Sequence, residues 1–519
     1  MCGIAGYFGP GKMDQSQVLA QLAHRGPDGS GVWEEVVAPG ARVSLAHTRL
    51  SILDRSSASA QPMGWTPEEA IKEELVLVYN GEIYNFAALR HELASLGHTF
   101  RSTGDTEVVL KAYAAWGDNA FARFDGMFAL ALFDRRRGAL VLARDPLGIK
   151  PLYVGRGEDG SFVFASEVQA LIRTSLCSKE IDSLAIADYL RLGSFQEPAT
   201  LYRSVRAFPA GHVGEVSLTE GCPAPLRQKP YWLPECLSSS RWNGDTESWR
   251  EEHKRVLDEA IKGQLQADVP VAVFLSGGLD STLLLERAVA CGGQRSIGAF
   301  TLGGAAAEQD EAERARATAH RLGVTFTRVD LDDATLHAWV ASALSSLDQP
   351  SGDGVNLALV SRAAREAGWS VALAGTGADE LHGAYGHAVR LDRLRRLLER
   401  GGPAALQFLK QWGRWRWGRG SLDSERWRLL LAASPESGRM LREKRRYFTP
   451  TEVADIWPGS ESWIQKESEP ITDVWAFQQN GWVEQIRLSE ICGYLRNTLL
   501  RDADAVTMAH GQELRVPFL

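Results

Sequence analysis

Cys2 directly follows the initiator methionine, and its small side chain allows that methionine to be trimmed, which leaves cysteine as the first residue. Such a cysteine carries its own base, because an α-amine titrates at about pKa 7.7 to 8.0 and can take the thiol proton directly or through water. A Met-Cys start alone means little, since a buried structural thiol is the ordinary fate of a cysteine. Its neighbours decide. A second reactive pattern is Ser276-Gly277-Gly278-Leu279-Asp280-Ser281, which follows the apolar run Val271 to Leu275 and opens a helix. Its glycines let backbone N–H groups approach an anion, and the serine hydroxyls and helix N-terminus add donors, which makes a cradle for pyrophosphate. Gly6 to Lys12 spells GxxxxGK, but Met13 replaces the Ser/Thr of a Walker loop and no strand of useful length precedes it.

Cys2-Gly3-Ile4-Ala5-Gly6, His24-Arg25-Gly26-Pro27-Asp28-Gly29, His47-Thr48-Arg49-Leu50-Ser51-Ile52, Tyr79-Asn80-Gly81-Glu82-Ile83-Tyr84-Asn85 and Gly104-Asp105-Thr106-Glu107 follow one another in order. In sequence and spacing they resemble class II glutamine amidotransferases. The resemblance implies an Ntn-hydrolase sandwich (αββα) in which Cys2 attacks the glutamine carboxamide while the Asn80 side chain and the Gly81 N–H hold the oxyanion. It also implies that Arg49 receives the α-carboxylate of glutamine, Glu82 and Asp105 its α-ammonium, and that Leu50 and Ile52 complete the pocket.

Without the Walker lysine, the Ser276 to Ser281 loop resembles the PP-loop of ATP pyrophosphatases. Gly375-Thr376-Gly377-Ala378-Asp379-Glu380-Leu381, Leu499 to Asp504 and Glu513 to Leu519 resemble the synthetase domain of glutamine-hydrolysing asparagine synthetases. That family implies ATP at Leu275, Ser276, Gly277, Gly278, Leu279, Asp280, Ser281, Leu302, Ala374 and Gly375, with Mg²⁺ at Asp280 and Asp379. Glutamine and a carboxylate acceptor, aspartate first, would be the substrates. ATP would activate the acceptor as acyl-AMP, and ammonia released at Cys2 would travel internally to attack it. Two departures stand out. Thr376 occupies a place where the family usually has a Glu that helps remove a proton, and Asp348 to Asn356 looks more like a divergent branch acting in surface-polysaccharide or secondary-metabolite pathways. The text also stops at Leu519, short of a segment bearing a phosphate-contacting lysine, so the synthetase half is expected to be incomplete. An amidotransferase for another carboxylate and a non-catalytic regulatory homologue therefore stay open. A cyclising relative would need no glutaminase and is disfavoured by Cys2, Arg49, Asn80 and Asp105.

These residues must be carried by elements. Up to residue 216 the text is strand-rich, with apolar runs at Val43–Leu53, Leu75–Asn80, Met127–Phe133, Leu140–Ala143 and Phe162–Ala165, and with helices expected after Asn85 as N-cap and after Asp105. This reads as an α+β domain over 2–216. Residues 217–245, rich in Pro, Ser, Gly and Cys, read as a linker. From 246 to 519 helix and strand alternate, which predicts an α/β parallel sheet with ligands beyond the strands' carboxyl ends. Residues 386–482, dense in Arg and Trp including Trp412, Trp415, Trp417, Trp427, Trp463 and Trp482, are expected to form a helical subdomain with Trp inward and Arg outward.

The 519 residues (56.9 kDa) are 44% hydrophobic and 24% charged, a composition that excludes disorder and implies more than one compact unit. A net charge of −8 gives no basic field for nucleic acid. No run approaches a membrane span and the start lacks a secretory signature, so no membrane partner and a cytoplasmic location are expected. Six scattered cysteines, without a CxxC pair, support neither a disulfide framework nor a zinc site. A homodimer is left open.

Overall fold

The computed structural model describes residues 2–67, 72–219, 221–234, 242–292, 297–303, 306–418, 421–433, 437–458 and 481–519. Cys236, Trp463 and part of the expected linker, 235–241, lie outside the described residues.

The first half supplies β1 (Cys2–Gly9), β2 (Gly29–Ala38), β3 (Ala41–Arg49), β4 (Met63–Trp65), β5 (Leu75–Ile83), β6 (Gly126–Asp134) and β7 (Ala139–Arg144). It continues with β8 (Tyr153–Arg156), β9 (Phe162–Ala165), β10 (Val205–Ala207), β11 (His212–Thr219), β12 (Cys222–Pro223) and β13 (Arg227–Pro230). One sheet runs β10-β8-β9-β1-β3-β2 and the other β12-β11-β7-β6-β5-β4, with β13 added beside β11. Period two explains the stacking. On β5, Val76 and Val78 enter the core shared with Ile4, Phe8, Val43 and Leu45 of the facing sheet. Leu75, Leu77 and Tyr79 alternate to the other face and pack under helices Phe86–Ser95 and Thr106–Trp116. A strand covered on both faces reads as an unbroken apolar run. Helices Gln15–Leu22 and Val168–Arg173 cover the outer face of the first sheet, which completes the helix–sheet–sheet–helix order. Asn85 does precede its helix, but its side chain is spent elsewhere, accepting from Asp125 N and donating to Arg123 O.

The expected linker starts too early. Strand β11 continues to Thr219, and β13 pairs with it from His212↔Pro230 to Glu215↔Arg227. These edge strands are short, polar and flanked by proline, so they carry no apolar period to betray them.

The second half contributes β14 (Val271–Phe274), β15 (Ile297–Gly303), β16 (Thr325–Asp330), β17 (Val371–Leu373) and β18 (Glu513–Arg515) in one sheet, ordered β16-β15-β14-β17-β18. Every neighbouring pair in it is parallel. The odd residues Val271, Val273 and Leu373 pack against helices Thr246–Gln264 and Leu279–Gly292, and the even residues Ala272 and Ala372 pack on the opposite face with Ala363 and Ala364. The order reverses between β14 and β17, so a crevice opens beyond their carboxyl ends. The core on the first face does not stop at this half, because Leu50, Ile52 and Met127 belong to it too.

Residues 386–482 are mostly helical where described, including His387–Trp417, Leu422–Ala432 and Trp482–Glu490. Trp412, Trp417 and Trp427 pack ring against ring with centroids 5.3–5.8 Å apart. Trp412 and Trp415 depart from the inward expectation, being 38% and 80% exposed.

Candidate functional site

Cys2 opens β1 opposite Arg49, the last residue of β3. Its backbone N–H donates to Asn80 Oδ1 on β5 at 2.9 Å. That bond turns the Asn80 amide so that Nδ2 is buried without a hydrogen-bond partner. A buried unpaired donor is rare in folded proteins, and here it sits beside a cysteine. The adjacent Gly81 lies so close to β6 that a Cβ would meet Met127 O at 2.2 Å. Cys2, Arg49, Leu50, Ile52, Gly81, Glu82 and Asp105 line one cavity, together with Gln61, Tyr79 and Thr106. Burial pushes the Cys2 thiol above its ordinary value, and Glu513 adds to the effect.

The cavity is charged at both ends. Arg49 donates to Ser56 O at 2.8 Å and to Asp54 O at 2.5 Å, and among the described residues it forms no salt bridge. Its positive charge is thus oriented by two carbonyls but not neutralised. At the other end Asp105 accepts from Tyr79 OH at 2.7 Å and from Ile83 N at 3.0 Å. Burial raises the carboxyls of Asp105 and Glu82, and Asp105 pushes Glu82 higher still. Burial disfavours the charged form of both carboxyls, and a cation bound beside them would favour it again.

Several contributors carry no sign in the sequence of a role at this cavity. Gln61 clamps β5 by accepting from Tyr79 N at 2.6 Å and donating to Tyr79 O at 3.2 Å. Arg515 and Glu513 reach the same region from β18, nearly the whole chain away, with Arg515 Nη2 at 3.6 Å from Glu82 Oε1.

The second centre lies in the crevice between β14 and β17. A cleft of about 480 Å³ is lined by Leu275, Ser276, Gly278, Asp280, Ser281, Leu302, Ala374 and Gly375 of the expected ATP set. Gly277 and Leu279 are not on its wall. Gly277 makes the turn, with φ +76° and a hypothetical Cβ 2.5 Å from Glu311 O, and the Leu279 side chain is exposed. Phe274, Phe300, Thr301, Glu311, Ala312, Asn356, Leu357 and Val360 complete the wall, and sequence reasoning missed them because two strands and two helices supply them. The serines organise the loop: Gly278 N donates to Ser276 Oγ at 3.3 Å, and the Ser276 and Ser281 hydroxyls are 3.1 Å apart. Burial raises the Asp280 carboxyl, and the like charge of Asp379 raises it further, so the two acidic groups feel each other. Among the described residues no group of three or more His, Cys, Asp or Glu side chains gathers as a metal site. Two carboxylates beside a loop of glycines and serines are a donor set of the kind Mg²⁺ shares with phosphate oxygens.

Residues 1–232 match a family described as a glutamine amidotransferase domain, and residues 252–519 match the asparagine synthase family. Over the full chain and 80% of its partner, the sequence is 34% identical to a Mycobacterium tuberculosis protein named "Putative asparagine synthetase [glutamine-hydrolyzing]". The chain belongs to the glutamine-hydrolysing asparagine synthetase family. "Asparagine synthetase [glutamine-hydrolyzing] 1" of Bacillus subtilis is a further relative, 28% identical over the full chain and 79% of that protein. As a member of this family the chain is a carbon–nitrogen ligase with glutamine as nitrogen donor. Among solved structures, the B. subtilis glutamine phosphoribosylpyrophosphate amidotransferase aligns with a TM-score of 0.34 and 15% identity, covering 72% of this chain and 82% of its own. In this asparagine synthetase family member Thr376 is half-buried between Gly375 of the cleft wall and Gly377. No helix among the described residues is long and apolar enough to cross a membrane.

Proposed function

We propose that the chain makes asparagine from aspartate, ATP and glutamine. One observation carries the reading: the cysteine cavity and the nucleotide cleft are built on one continuous apolar core, in which Leu50 and Ile52 of the cavity wall join Val271, Val273 and Leu373 of the nucleotide sheet. A nitrogen donor site and a carboxylate-activating site thus form one packed body.

In the first centre the Cys2 thiolate attacks the glutamine carboxamide carbon. After trimming, its own α-amine takes the thiol proton and passes it to the departing ammonia. Asn80 Nδ2, buried without a hydrogen-bond partner, and the Gly81 N–H receive the oxyanion, each such donor being worth about 3 to 4 kcal/mol. Arg49 binds the α-carboxylate, Glu82 and Asp105 the α-ammonium, and water then releases glutamate from the thioester. In the second centre an aspartate carboxylate oxygen attacks the α-phosphorus of ATP and pyrophosphate leaves into the Ser276 to Ser281 cradle. Ammonia then attacks the acyl carbon and AMP departs. Asp280 and Asp379 would hold Mg²⁺, which supplies charge neutralisation for the phosphates when bound.

Thr376 favours a second reading, an acceptor other than aspartate. A threonine hydroxyl cannot act as a general base at pH 7, and that role is worth about 10² to 10⁴ in rate. Pyrophosphate release with glutamine and ATP decides between the two. Release stoichiometric with asparagine establishes the first reading, and silence with aspartate but turnover on another carboxylic acid establishes the second. The free state of the described cysteines Cys2, Cys177, Cys222, Cys291 and Cys492 suits the cytoplasm proposed for this reaction.

A further inference from the structure

Strand β18 faces both centres. Its backbone continues the nucleotide sheet: Leu373 of β17 is in register with Arg515, and Ala374 N, on the cleft wall, donates to Arg515 O at 2.9 Å. Its side chain points the other way. The Arg515 guanidinium is fully buried, with Nε on Glu513 Oε1 at 2.5 Å and Nη1 on the carbonyls of Gln264 and Gln266 at 2.6 and 2.8 Å. Nη2 alone has no hydrogen-bond partner, and it lies 3.6 Å from Glu82 Oε1.

The charge balance around this contact is uneven. Glu82, Asp105 and Glu513 are three buried carboxyl groups that act on one another, and Arg515 is the guanidinium buried among them. Burial alone would raise Glu513, yet Arg515 first, with Lys150 adding to it, holds it at about 2, whereas Glu82 stays well above the usual carboxylate range. Arg515 therefore satisfies Glu513 and leaves Glu82 oriented but under-neutralised. Oε1 of Glu82 faces the guanidinium at 3.6 Å without a hydrogen bond, so this loose ion pair leaves Glu82 able to take a second cation, which a substrate ammonium would supply.

We propose that Arg515 is a positioning residue for the amidase pocket: it fixes Glu82 for the α-ammonium of glutamine, so that a residue of the nucleotide sheet sets the pocket's selectivity for α-amino amides. This rests on the amidase reading of Cys2.

The test compares glutamine with 4-carbamoylbutanoate, the same amide without the α-amine, using full-length protein and following release of the corresponding acid. The discrimination ratio, kcat/KM for glutamine over kcat/KM for the analogue, is expected to fall at least tenfold in Arg515→Gln, through a raised KM for glutamine, and to recover in part in Arg515→Lys. Should Arg515→Gln not fold, Arg515→Lys carries the test with an expected fall of about threefold. Equal losses for the two amides, with the ratio within twofold of the parent in the folded variants, would reduce Arg515 to a structural prop and overturn the proposal. A parent protein that releases glutamate no faster than its Cys2→Ala variant overturns the amidase reading itself, and this result is distinct because it appears before Arg515 is touched.

Discussion

Asn80 has one amide group with two separate uses. Its oxygen holds the Cys2 backbone, and its nitrogen is left buried and unpaired, at a cost of about 1 to 3 kcal/mol in an empty site. Asn80→Ala should therefore lower the turnover of glutamate release by about 10² to 10³, while synthesis fed with ammonium salts continues. An equal loss of both activities would show that Asn80 only supports the fold. In Cys2→Ala, glutamate release should vanish and ammonia-fed synthesis should persist, as followed by pyrophosphate release. His47, beside this site on β3, is held at about 3 by burial first and by Arg49 second. With the folded value below the ordinary ~6.5, the unfolded chain takes up the proton first, so stability is lost as pH falls from about 6.5 toward 3. His47→Gln should remove about 2 kcal/mol of the stability difference between pH 7 and pH 5, as read from paired urea titrations. An unchanged difference would rule out a neutral buried imidazole. The pocket residues on β1, β3 and β5 were legible because each motif is a short continuous run. Glu513 and Arg515 were not, since residue type says nothing of a partner more than 400 positions away.

Among the elements, the loop after β14 depends most on one residue. Gly277 takes a left-handed φ of +76° against Glu311 O. In Gly277→Ala the loop must shift, and ATP-dependent pyrophosphate release should fall at least tenfold while glutaminase activity is retained. A variant that keeps full pyrophosphate release would show that the loop does not cradle phosphate. The strand-loop-helix context of this segment was readable from an apolar run followed by glycines. Strand β18 was not, because its Glu-Leu-Arg sequence carries no apolar period and is buried through ion pairing. For the same reason β13, with Arg227, Gln228, Lys229 and Pro230 all exposed, reads as linker text. Strand periodicity reports a face against a core, and edge strands this short have little of one.

At the scale of the whole molecule, buried charge crosses from one half to the other. Arg25, fully buried, donates to Cys2 O at 3.2 Å, Glu167 Oε1 at 3.0 Å and Asp504 Oδ2 at 2.6 Å, and Asp504 Oδ1 also lies 3.3 Å from the buried Lys150. Asp504→Ala would strand Lys150 and leave Arg25 with Glu167 alone, and should cost about 3 to 5 kcal/mol. Thermal unfolding checks this, and a shift of less than about 1 kcal/mol would contradict it. The sequence showed His24 to Asp28 and Arg501 to Asp504 as separate motifs without showing that they meet. Their meeting bears on how such a protein can be taken apart. Lys150 makes its ion pair across the boundary, and Arg25 keeps only Glu167 within its own half, so a glutaminase half expressed alone would expose or bury an uncompensated ammonium and a half-compensated guanidinium and should be poorly soluble. A chimera that borrows a foreign amidase half would need to import its matching cations along with its cysteine.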